Sequence, residues 1–197
     1  IYTGEDTLSL HDALPISPTS DIGEFETQAN GKGGSLSGAE MAVSLPLQMV
    51  SNVLDGFGVQ LSYAYVASKI SPFGPGDTRP LPGLSPNTYN LTAYYEKYGF
   101  SARVSTRIRD GFVGEVTGFG ADRTFEYVKK EKVTDLQLGY EFSSGMAKGL
   151  SVLFQINNLG NEPYQTKQGD PFSGGSYAPE RYTTYGRQVL LGLSYKL

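Results

Sequence analysis

Apolar and polar residues alternate with a period of two along most of this chain, and that pattern predicts strands. In residues 57–67 the set Phe57, Val59, Leu61, Tyr63, Tyr65 and Ala67 takes one face; Gly58, Gln60, Ser62, Ala64 and Val66 take the other. In residues 87–97 Tyr89, Leu91, Ala93 and Tyr95 alternate with Thr88, Asn90, Thr92 and Glu96. Phe100, Ala102, Val104, Thr106 and Ile108 alternate with Ser101, Arg103, Ser105, Arg107 and Arg109. Thr134 to Phe142, Leu150 to Ile156 and Val189 to Leu197 repeat the pattern, and Ala39, Met41, Val43 and Leu45 form a weaker example. A partial further strand is expected around Ile22–Gln28. The connections alternate too. Those at 46–56, 97–99 and 143–149 are short or moderate, whereas those at 68–86, 110–131 and 160–185 run to about twenty residues or more and are rich in Gly, Pro and Asp. Repeated structureless loops of that length argue against a compact soluble domain. They are what a transmembrane β-barrel carries on its outer side, opposite its short turns. Tyr94, Tyr95, Tyr98, Phe100, Tyr140, Phe142 and Tyr195 gather at the short-turn end, where an interfacial aromatic girdle belongs.

Composition narrows the picture further. The chain has 197 residues, no cysteine, 25 glycines, 14 tyrosines and a formal charge of −4. Absent cysteine removes disulfides and thiolate metal sites. No apolar run approaches the roughly 20 residues of a membrane-spanning helix. The first 17 residues stand apart from the rest. Thr7 to Ile16 can be encoded codon for codon by a widely used DNA-sequencing adapter, Ile1-Tyr2-Thr3 fits its upstream flank, and Gly4-Glu5-Asp6 falls at the variable index. Residues 1–17 are therefore set aside as translated adapter, with a genuine helix-like N-terminal segment as the alternative. That removal takes Glu5, Asp6, Asp12 and the single histidine, His11, and leaves a charge of −1, which implies no nucleic-acid partner.

Catalytic chemistry is not expected. Without His11 there is no histidine for a triad or a metal site. Asp122 with Glu126 is solvated loop charge, Gly118-Phe-Gly120 lacks the helix of a phosphate loop, and Asn90-Leu-Thr92 lies inside a strand. Arg103, Arg107 and Arg109 share the polar face of one strand, so in a barrel they face the lumen. There they would pair with carboxylates such as Asp135 or Glu141, or else guide an anionic ligand or meet a plug domain. Tyr164, Phe172, Tyr177, Tyr182 and Tyr185 stand on the last long loop as candidate ligand contacts.

The run Asn157-Asn158-Leu159-Gly160-Asn161-Glu162-Pro163-Tyr164, followed by Tyr185-Gly186-Arg187-Gln188 and the strand through Leu191, Gly192 and Tyr195, resembles the C-terminal end of TonB-dependent outer-membrane receptors. That family usually ends in an aromatic residue, where this chain has Leu197. The resemblance implies an all-β fold: residues 18–197 as about seven or eight antiparallel C-terminal strands of a large barrel, forming a curved open sheet in the bacterial outer membrane. It implies no enzyme and no cofactor. Its partners would be outer-membrane lipid, a small-molecule nutrient (a siderophore, a cobalamin-like compound or a carbohydrate), and the TonB complex acting through an N-terminal region. The plug and energy-coupling box would lie upstream of this stretch. Two unpaired sheet edges would then leave the isolated stretch unable to fold stably or transport. A small complete barrel of about eight strands, passive or structural, and a soluble carbohydrate-binding β-sandwich are the alternatives.

Overall fold

The computed structural model describes residues 33–71, 78–117, 124–169 and 178–196. The strand expected at Ile22–Gln28, the adapter-like segment, Asp122, Gly118-Phe-Gly120, Phe172, Tyr177 and Leu197 lie outside those residues.

Seven long strands form one antiparallel sheet: β1 (Gly34–Pro46), β2 (Phe57–Ile70), β3 (Asn87–Lys97), β4 (Phe100–Arg109), β7 (Glu131–Glu141), β8 (Leu150–Asn157) and β11 (Gln188–Tyr195). They are the strands that the alternation predicts. Their order in the sheet follows the chain, β1-β2-β3-β4-β7-β8-β11, so each pairs with its predecessor in an open meander. Register keeps the faces pure. Leu61 stands opposite Val43 and Leu91, and Val104 lies between Ala93 and Leu136. The apolar face is bare: Met41, Val189, Leu191 and Leu193 are all more than 60% exposed. Burying one such side chain stabilises by about 1.5–3 kcal/mol, so this face demands an apolar medium. Two of its hydroxyls meet each other: those of Thr106 and Thr134 lie 3.0 Å apart across β4 and β7. At the short-turn end Phe57 packs on Tyr95 (4.5 Å between ring centres), Tyr95 on Phe100 and Tyr140 on Phe142. At the other end Tyr63 stacks on Tyr89 at 4.8 Å. Phe57 to Tyr65 covers about 27 Å of strand, or about 20 Å of height at a barrel's usual tilt, against an apolar band of about 25 Å.

The long connections are not structureless, which corrects the expectation from sequence. They contain β5 (Phe112–Thr117), β6 (Thr124–Val128), β9 (Tyr164–Gln168) and β10 (Ala178–Thr183), joined in a second antiparallel sheet ordered β10-β9-β6-β5. The pairing of β6 with β9 ties two long connections to each other. A third joins through the bridge of Ile70 to Arg79, the amide of Gly83 donating to the Val113 carbonyl at 2.6 Å, and the Arg79 guanidinium 4.7 Å above the Phe125 ring. The buried hydrophobic core among the described residues sits here, in Val113, Phe125 and Val128, not in the large sheet. These strands were hidden in sequence because each is only five or six residues long and β6 meets β9 only across the whole of β7 and β8.

The hairpin between β3 and β4 turns in two residues, Tyr98 and Gly99, with φ of 54° and 79°. Positive φ at both positions defines a type I′ turn, whose twist suits flanking strands. A Cβ on Gly99 would come within 2.5 Å of the Glu141 carbonyl oxygen on β7. The Gly99 carbonyl also accepts from the Glu141 amide at 2.8 Å, so the turn carries part of the ladder. Gly99→Val therefore combines left-handed strain of about 1–2 kcal/mol with a backbone clash. It is expected to lower the fraction that runs as the compact, heat-modifiable form on a gel, whereas Tyr98→Gly is expected to leave that fraction unchanged or higher.

Candidate functional site

The polar face of the large sheet carries its arginines and carboxylates, with Arg107, Arg109 and Glu131 at the end where the long connections meet. Strand alternation puts Arg103, Arg107 and Arg109 of β4 on this face, beside Asn90 and Glu96 of β3 and Glu131 and Asp135 of β7. Arg109 stands opposite Glu131 in register, and its guanidinium lies 3.0 Å from that carboxylate. Arg107 reaches the same carboxylate at 3.6 Å, and Arg103 reaches Glu96 at 3.5 Å. The counter-ions are thus Glu131 and Glu96 rather than the expected Asp135 and Glu141. Asp135 is engaged elsewhere: its carboxylate accepts from the Asn158 backbone amide at 2.8 Å. Arg107 and Arg109 thus share one carboxylate. Arg107 is the most exposed of the three, at 58%, and its long contact in water contributes little stability.

Arg107 opens onto a cleft of about 270 Å³, bounded by Glu131 and Val133, by Asn157, Asn158 and Gln188, and by Glu162, Pro163, Tyr164, Tyr185 and Gly186. Of the aromatic loop residues singled out from sequence, Tyr164 and Tyr185 meet in this cleft. Tyr182 lies apart on β10, 69% exposed. Burial pushes the Tyr164 phenol above its ordinary range, and Glu126 adds to this, so the hydroxyl stays protonated as a donor. Carboxylate, guanidinium, amide and phenol groups together can hold a polar ligand through several directed hydrogen bonds. Among the described residues no cluster suits a metal ion.

The motif that carries the family resemblance has a structural task. Asn158 adopts φ 54°, which turns the chain out of β8. Its side-chain oxygen accepts from the Glu162 amide at 2.7 Å, and its side-chain nitrogen donates to the carbonyls of Glu162 and Gly186 at 3.1 and 3.3 Å. Leu159 donates its amide to Thr134 on β7 at 2.7 Å, and its carbonyl accepts from Arg187 Nε at 2.8 Å. Asn158, Leu159, Gly186 and Arg187 form a clasp that locks β7, β8 and the start of β11, and so shapes the cleft. Leu191 and Tyr195 lie on the apolar face; Gly192 lies on the polar one, opposite Leu153.

Sequence reasoning read Asn157, Glu162 and Gln188 only as part of the motif and gave Glu131 no role, and it missed a second network. The Asp110 carboxylate accepts from Lys130 at 3.0 Å and from Asn87 at 2.9 Å, while Tyr63 donates to Asn87 at 2.8 Å. Ser85 donates to the carbonyls of Asp110 and Asn87. An alternation count cannot find such groups, because they meet only once register across the long connections is set.

Asn158→Ala is expected to cost about 1–3 kcal/mol, since it leaves the Glu162 amide unpaired, with Asn158→Asp intermediate; unfolding in detergent measures both. Asp110 lies just outside β4, and hydrogen bonds from Lys130 first and Asn87 second hold its carboxyl below the usual carboxylate range. A lowered folded pKa contributes stability above the unfolded value, about 3.9, and loses it as pH falls through the folded one. Asp110→Asn is accordingly expected to lower the melting temperature at pH 7 and to flatten its acid dependence below about pH 4.

The family model described as TonB dependent receptor-like, beta-barrel, matches residues 7–159. The match starts inside the adapter-like stretch and ends at Leu159, so β9, β10, β11 and the Gly186–Arg187 half of the clasp lie beyond it. No curated protein and no solved structure matches the chain. With one face bare and apolar, the other charged, short turns at one end and folded loops at the other, and a family match across most of its length, this chain belongs to the β-barrel family of the TonB-dependent receptors.

Proposed function

We propose that residues 18–197 are the C-terminal part of an outer-membrane barrel that takes up a bulky, scarce nutrient, and that the cleft beside Arg107 is one of the places where the nutrient rests on its way in. The family is one of nutrient receptors of the outer membrane rather than of enzymes. The observation that carries the reading is the sorting of the two faces. The apolar face has nothing to pack against except lipid, so the polar face with Arg103, Arg107 and Arg109 is the wall of the interior. The folded loops then stand at the outer mouth. The cleft below them offers the guanidinium of Arg107, the carboxylates of Glu131 and Glu162, and the rings of Tyr164 and Tyr185.

Such groups suit a siderophore, a cobalamin-like compound or a carbohydrate: aromatic faces stack on flat or pyranose surfaces, and the arginine meets a carboxylate, phosphate or hydroxamate. The TonB complex would supply the energy through an N-terminal region. A small complete barrel is the second reading, and it would need strands pairing with the outer edges of β1 and β11 without a plug between them. Residues 1–17 take no part in either.

In the full-length receptor, Arg107→Glu is expected to reduce uptake of the native ligand by about tenfold or more, since it places a carboxylate against Glu131 in the cleft. Tyr164→Ala with Tyr185→Ala is expected to raise the ligand's Kd while leaving the amount of receptor in the outer membrane unchanged. Growth on limiting nutrient, together with the quantity of assembled protein, reads both. Unchanged assembly and unchanged uptake in Arg107→Glu would remove the arginines from any role.

A further inference from the structure

At the short-turn end two residues, Tyr98 and Gly99, are enough to return β3 to β4, yet β1 returns to β2 through ten, Leu47 to Gly56. The extra residues are folded. Leu47–Met49 and Asn52–Leu54 are two single 3-10 turns. In them the amides of Val50 and Ser51 donate to the Leu47 carbonyl, Leu54 to Ser51 and Asp55 to Asn52, at distances between 2.9 and 3.3 Å. The Ser51 hydroxyl accepts from the Val53 amide at 3.3 Å. The amides of Val50, Ser51, Val53, Leu54 and Asp55 are thus met inside the connection itself. Its surface is apolar, with Met49, Val50 and Val53 exposed by 78%, 68% and 89%. From Pro46 to Leu54 there is no charged residue. The next residue, Asp55, pairs at 2.9 Å with Lys97, which has the apolar parity of β3. A Cβ on Gly56 would lie 3.1 Å from the side chains of Lys97 and Tyr95, which share that parity. The connection is therefore seated beside the aromatic group Phe57, Tyr95 and Phe100 of the apolar face.

We infer that residues 47–55 form an interfacial foot beside the barrel wall, and that its partner is the lipid of the leaflet at the short-turn end, into which Met49, Val50 and Val53 insert. The inference rests on the proposal that the apolar face meets an outer-membrane bilayer. Continuity with that face supplies the lipid: the rings of Phe57, Tyr95 and Phe100 beside the foot mark the height at which headgroups meet hydrocarbon. Entry into that layer penalises unpaired amides and charges above all. The two 3-10 turns remove the first cost, and the uncharged composition removes the second. Exposed apolar side chains on such a segment gain by sinking about 5–10 Å into the boundary of headgroup and acyl chain. Gln48, Ser51 and Asn52, polar but neutral, suit a boundary where water still reaches. A protein seated on the same three side chains is the competing outcome, and vesicles that hold no other protein separate the two.

The test uses the full-length receptor in vesicles of phosphatidylethanolamine and phosphatidylglycerol, with one nitroxide-labelled cysteine at a time: Met49→Cys, Val53→Cys, Leu91→Cys or Tyr182→Cys. This chain has no cysteine of its own to compete for the label. Collisions with oxygen, which concentrates in lipid, are compared with collisions with a water-soluble nickel chelate. The oxygen-to-nickel ratio at Met49→Cys and Val53→Cys is expected to exceed that at Tyr182→Cys, in the loop sheet, by about fivefold or more. Adding Val50→Asp and Val53→Asp to the Met49→Cys protein is expected to bring its ratio down to the Tyr182→Cys value, since two carboxylates hold the foot in water. Both aspartates replace side chains that already face outward, so the heat-modifiable, assembled fraction is expected to match the parent's. A ratio at Met49→Cys and Val53→Cys no higher than at Tyr182→Cys overturns the inference, as does one that the two aspartates leave unchanged. Leu91→Cys, at mid-strand on the apolar face, tests the bilayer reading separately. A low ratio there removes the lipid face altogether; a high ratio there with low ones at Met49→Cys and Val53→Cys removes only the foot.

Discussion

Everything in this chain depends on its backbone ladder. A surface that meets hydrocarbon must pair each amide and carbonyl within the protein, because lipid offers no substitute partner. The seven strands satisfy this by running antiparallel in chain order, each hydrogen-bonded to the strand before it. Even the turns join in: the carbonyls of Gly56, Gly99 and Gly149, each at positive φ, accept from the amides of Glu96, Glu141 and Lys196 on the next strand over. The outer edges of β1 and β11 are where the described ladder is open. Those edges must be covered by further strands before such a sheet is stable in a membrane.

Once the ladder sets the register, the two faces acquire different physical tasks. The outward face is held by the medium rather than by a protein core, so its side chains stay exposed and its residual polar groups, Thr106 and Thr134, find each other. On the proposed reading the other face lines a wet interior and can carry arginine. There the Arg107–Glu131–Arg109 group is built from neighbouring strands and turns Arg107 toward the cleft. Among the described residues the buried hydrophobic side chains, Val113, Phe125 and Val128, all lie in the loop sheet and give the long-loop end a small core of its own. The described parts of the three long connections are thereby joined to one another.

Asn158 shows how a motif can be read correctly as a family mark while its work stays hidden. Its residues resembled those of a receptor terminus, yet nothing in their order says that one asparagine side chain bridges Glu162 and Gly186, or that Arg187 caps Leu159. Asp135 gives the converse lesson. From sequence it was a natural partner for the arginine ladder; in the fold it is spent on the Asn158 amide.

The sequence by itself determined the strands of the large sheet, their two faces, the alternation of short and long connections and the side on which the arginines lie. All of these follow from a period of two, which needs no knowledge of neighbours. Only the tertiary structure decided which carboxylate meets which arginine, that Tyr164 and Tyr185 share a cleft while Tyr182 does not, and that the long connections fold into β5, β6, β9 and β10. Those outcomes depend on register between segments far apart in the chain, and β6 finds β9 across the whole of β7 and β8. Local propensity says nothing about such a choice; the geometry of the ladder beneath it makes the choice.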